Sequence, residues 1–60
     1  MNEKPDFIPD YSPYFYLEEN SYGNWIVWGY HKDNWDLIGC QSTHRFAISL
    51  GERWKKKLVK

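Results

Sequence analysis

Cysteine is almost missing from this 60-residue chain: Cys40 stands alone, so no disulfide can form within it. One cysteine and two histidines, His31 and His44, also lack the paired spacing of a zinc site, so no metal is expected. Long apolar runs are missing as well. The longest, Trp25 to Trp28, falls far short of the ~20 residues of a membrane helix, and no membrane role is expected. Proline occurs only at positions 5, 9 and 13, which leaves everything after residue 13 free to form regular structure. The opening residues M-N-E-K-P-D place no apolar run behind a basic start. No export signal is therefore expected, and a lone thiol suits a reducing cytoplasm.

Aromatic residues are what the chain has in abundance: four Trp, five Tyr and three Phe. A domain this short buries only about 60% of its unfolded surface. Without disulfides or metal, dense aromatic packing or a partner must hold it. Net charge is zero but unevenly spread. Residues 1–20 carry Glu3, Asp6, Asp10, Glu18 and Glu19 against Lys4, while residues 45–60 carry Arg45, Arg53, Lys55, Lys56, Lys57 and Lys60 against Glu52. A basic end complements a helix C-terminal dipole, and it also suits phosphate binding.

Residues 1–13 read as an extended proline-containing arm with Phe7, Ile8 and Tyr11 as apolar anchors, and residues 14–60 as one domain. Tyr14 to Glu19 reads as a first strand, Trp25 to His31 as a second and Trp35 to Cys40 as a third. The turns between them fall at Asn20-Ser21-Tyr22-Gly23-Asn24 and Lys32-Asp33-Asn34. A cap at Ser42 or Thr43 opens a helix to Leu58, with Ala47, Leu50, Trp54 and Leu58 on its inner side and Phe46 beside them. Gly51 in that stripe predicts a close approach to the sheet beneath Trp35 or Trp25. The expected fold is α+β: a three-stranded antiparallel β-meander packed on one C-terminal α-helix.

The junction Gly39, Thr43, Ala47 (G-x-x-x-T-x-x-x-A), with Asn24-Trp25 opening the second strand, resembles two families over residues 14–58. They are the plant AP2 DNA-binding domain and the arm-type DNA-binding domain of phage integrases. The resemblance implies a helix over one sheet face, the other face entering the DNA major groove and presenting Trp28, Tyr30, Trp35 and Leu37. Those families place arginines there. The strands here hold neither arginine nor lysine, and they carry Glu18, Glu19 and Asp36. In this register both Asp36 and Ile38 face the helix.

Catalytic motifs are missing: there is no G-x-S-x-G, phosphate loop, H-E-x-x-H or C-x-x-C. Adjacent Glu18 and Glu19 point to opposite faces of a strand. Cys40 and His44 are the one nucleophile–base pairing to weigh, against a reading of Cys40 as a small buried residue and His44 as a surface one. No enzyme activity and no cofactor are expected. The open sheet face, with Ile26, Trp28 and Tyr30 in one alternation set, needs a cover: the arm, a second copy forming a homodimer, or a foreign protein. The expected function is a small non-catalytic protein-binding module, of the kind found as a phage- or plasmid-type inhibitor or adaptor, which binds through Trp28, Tyr30, Trp35 and Leu37. The alternative is nucleic-acid binding, either by Arg45, Arg53, Lys55, Lys56 and Lys57 on phosphates or by base stacking on the sheet aromatics.

Overall fold

A computed structural model describes residues 4–58. Strands β1 (Tyr14–Glu19), β2 (Trp25–His31) and β3 (Asn34–Gln41) form an antiparallel sheet in the order β1-β2-β3, followed by helix α1 (His44–Leu58). This is the expected α+β meander with one C-terminal helix.

The two hairpin turns differ in chemistry. At the first, the Asn20 side-chain Oδ1 accepts hydrogen bonds from the backbone N–H groups of Tyr22 and Asn24, both at 2.9 Å. Gly23 supplies the positive φ, 83°, that this loop requires. The second turn is only two residues long, because β3 begins at Asn34, one residue before the expected start. Lys32 and Asp33 take φ of 55° and 65° there, the backbone of a type I′ hairpin turn. Neither is glycine, so this turn carries backbone strain.

Packing against the helix is set by small residues. Val27 and Ala47 are completely buried at the sheet–helix contact. A Cβ on Gly29 would lie 2.7 Å from the Trp54 ring atom Cη2, and one on Gly51 would lie 2.6 Å from two atoms of the Phe15 ring. Real carbon atoms sit about 3.5–4.0 Å apart, so each glycine is the recess into which an aromatic ring fits. Gly51 therefore approaches Phe15 of β1, not Trp35 or Trp25 as its place in the helix suggested. The glycine beneath a tryptophan is Gly29, under Trp54.

A β-bulge in β3 settles which residues face the helix. Val27 pairs with Gly39 and Trp28 with Leu37, leaving Ile38 as the extra residue. The Ile38 Cδ1 atom lies 2.8 Å from the position of a Gly29 Cβ, and the Leu50 Cδ2 atom lies 2.8 Å from that of a Gly39 Cβ. Ile38 and Gly39 thus both turn toward α1. Asp36, paired with Gly29, shares that side but sits exposed on the edge strand, where its carboxylate keeps its water.

Of the two caps the sequence offers, Thr43 is the one used: the Phe46 backbone N–H donates to Thr43 Oγ1 at 3.3 Å, and Ala47 N–H donates to the Thr43 carbonyl at 3.1 Å. At 100° per residue, the buried Ala47 and Gly51 define the inner line, and Phe46 lies well to one side of it. Phe46 is 58% exposed, not packed beside the core. Leu58, at the helix end, is 38% exposed.

Candidate functional site

The sheet face away from α1 collects Tyr14, Tyr16 and Glu18 from β1, Ile26, Trp28 and Tyr30 from β2, and Trp35, Leu37 and Cys40 from β3. The four residues expected to bind a partner do share one face. Their exposure differs from expectation. Trp28 and Tyr30 are each only 8% exposed, Trp35 is half-buried, and Leu37 alone stands out at 62%.

The reason is aromatic side chains covering one another. Trp35 lies edge-on to Tyr30, with ring centroids 5.2 Å apart, and reaches over the face as far as Tyr14 and Tyr16 at 6.2 and 6.4 Å. Phe7 of the arm then sits against Tyr14, Tyr16 and Trp35 at 6.2, 5.4 and 5.3 Å. The Trp35 indole N–H donates to the Phe7 carbonyl at 3.1 Å, so backbone and ring hold the arm together. Each such T-shaped pair adds about 0.5–1.5 kcal/mol beyond the area it buries. The Trp28 indole N–H donates to Glu18 Oε1 at 3.3 Å. Glu18 stands opposite Ile26, so the indole reaches back along the face toward that pair, of which Ile26 is buried. Among the three covers considered for this face, the arm occupies its Tyr30–Trp35 end.

Among the described residues, two concave regions stand out. One lies between the arm and the β2–β3 turn, about 500 Å³ in volume, walled by Phe7, Tyr30 and Trp35 with Asp6 and Asp33 at its margin. The other, about 440 Å³, runs between α1 and the outer edge of β3. Leu37, Ile38, Leu50 and Trp54 form its apolar lining, and Arg53 and Lys57 provide its charge. Strand β3 is an outer strand of the sheet, so this groove lies beside a free edge.

The basic residues do not act as one patch. Arg45 and Lys56 project from the exposed outer face of α1, and Arg53 and Lys57 line the β3 groove. Lys55 goes the other way: its Nζ lies 5.9 Å from the centre of the Tyr11 ring.

Cys40 and His44 are not brought together. Cys40 pairs with Ile26 and projects from the open face, where it is exposed rather than buried. The His44 ring packs edge-on against Trp25 at 4.7 Å on the helix side of the sheet. The two side chains thus lie across the sheet from one another. Among the described residues, no group of three or more His, Cys, Asp or Glu side chains gathers at metal-binding distance, and no helix is long and apolar enough to cross a membrane.

The groove residues Ile38, Leu50 and Trp54 had no sequence signal as a surface. Each reads as core, and only the meeting of α1 with the bulged edge strand β3 brings them together beside one groove. Compared with known proteins, the chain matches no family model, no curated protein and no solved structure.

Proposed function

We propose that this chain is a non-catalytic protein-binding module, acting as an inhibitor or adaptor that occludes a larger protein. The observation that carries this reading is the groove between α1 and the free edge of β3. It is apolar along Leu37, Ile38, Leu50 and Trp54 and cationic at Arg53 and Lys57. In a domain whose arm covers the Tyr30–Trp35 end of the aromatic face, Leu37 stays largely exposed beside that groove. The side of a tryptophan and an arginine are residue types enriched in binding hot spots, and the exposed Leu37 extends them as an apolar patch. Its two cations select an acidic, apolar segment as occupant. The interaction surface therefore lies at the β3 edge and includes only Leu37 of the four expected residues.

The test uses the full chain, isotope-labelled, with acidic amphipathic peptides as probes. Saturable shifts confined to Leu37, Ile38, Leu50 and the Trp54 indole N–H are expected, and they should be lost in Leu37→Asp or Arg53→Glu variants that melt like the parent. Nucleic-acid binding predicts a different pattern. A labelled oligonucleotide would bind with steep salt dependence, would be weakened by neutralising Arg45 and Lys56, and would be indifferent to Leu37→Asp. That result would overturn the protein-binding reading.

A further inference from the structure

We propose that the cavity between the arm and the β2–β3 turn is a binding site for an alkylated ammonium group: a methylated lysine side chain or a free quaternary ammonium compound. This surface is separate from the β3 groove, and neither reading depends on the other.

The walls are π surfaces set steeply to one another. Phe7 and Trp35 meet at 68° with centroids 5.3 Å apart, and Tyr30 and Trp35 at 63° and 5.2 Å. Phe7 and Trp35, set steeply to one another beside a cavity of about 500 Å³ that the nearly buried Tyr30 also lines, present negative π density from two directions, which is how alkylated cations are held. The polar groups agree in sign. Asp6 and Asp33 line the cavity against one ammonium, Lys4, leaving a net negative margin. The donor that could compete is already engaged, because the Trp35 indole N–H is bound to the Phe7 carbonyl.

The same features discriminate between cations. A bare ammonium is strongly hydrated and gives up that water at a cost when it moves onto a ring face, where its N–H donors lose their acceptors even with carboxylates at the margin. A quaternary ammonium has no N–H to satisfy and sheds its weaker hydration readily. It can contact the rings through its methyl groups while the carboxylates neutralise its charge from a distance.

The experiment titrates the full chain with tetramethylammonium and with ammonium, following the Trp35 indole N–H by NMR. A peptide bearing trimethyllysine and its unmodified counterpart are titrated in parallel. Tetramethylammonium should bind saturably in the millimolar range and roughly tenfold more tightly than ammonium. Asp6→Asn and Asp33→Asn should each weaken it several-fold without changing the melting temperature. Phe7→Ala, which removes a wall from the arm and not from the sheet, should abolish it in a protein that still folds. Tighter binding of the trimethyllysine peptide assigns the site to a modified partner, and equal binding assigns it to a free small molecule; both uphold the proposal. Equal affinity for ammonium and tetramethylammonium, or no saturable shift at Trp35 in the folded protein, overturns it.

Discussion

Replacing Gly51 by alanine sets two opposed effects against each other, and the structure decides the sign. In an exposed helix interior the change gains about 1 kcal/mol, because alanine loses less backbone freedom on folding. Here the added methyl would meet the ring of Phe15, with two ring atoms at 2.6 Å, roughly 1 Å inside ordinary carbon contact. Phe15 cannot swing aside easily: it sits on β1 opposite Gly29, beneath the helix. The helix or the strand must shift, and overpacking of this kind costs about 1–3 kcal/mol. A contact this close lies at the upper end, so the net expectation is a loss of about 1–2 kcal/mol. In a domain of this size that lowers Tm by roughly 4 to 16 °C. Thermal unfolding followed by circular dichroism measures it, with Ser49→Ala on the exposed outer face as the control for helix propensity alone. Ser49→Ala should raise Tm slightly. Combining Gly51→Ala with Phe15→Leu should recover part of the loss, since the two positions are in contact. A Gly51→Ala protein that melts above the parent would refute the reasoning, because it would mean that no ring occupies the recess.

Two further substitutions probe the frame around the sites. Trp54→Ala removes the ring seated over Gly29; as Trp54 is only half-buried, the loss should fall near 3 kcal/mol, the low end for large aromatic truncations. Urea denaturation measures it, and a midpoint unchanged from the parent would contradict the helix placement. Replacing Lys32-Asp33 by Asn-Gly relieves two positive-φ positions in a type I′ turn and should add about 1 kcal/mol, read as a higher Tm. A lower Tm would mean that the turn does not hold this geometry.

The sequence alone determined the element order and the connectivity. Aromatic and β-branched runs in Tyr14–Glu19 and Trp25–His31, read with the two-residue alternation of a strand, turn residues at Asn20 to Asn24, and the 3.6-residue spacing of Ala47, Leu50 and Trp54 each report a local pattern. Such patterns are properties of neighbouring residues, and they survive being read one segment at a time. The one-face grouping of Trp28, Tyr30, Trp35 and Leu37 follows from the same alternation.

Tertiary structure decided which of those four residues reach solvent. That depends on Phe7 and Trp35, which are far apart in sequence and meet only when the arm crosses the sheet. It also decided the bulge at Ile38, because the hydrogen-bond register between β2 and β3 is a property of the pair of strands and leaves no mark in either one. The partner of Gly51 was settled in the same way. A glycine signals that something comes close, but only the way α1 packs across the sheet makes that something Phe15. Local periodicity is carried by the spacing of residues along the chain; exposure is carried by what lies across from them, and that is set by packing.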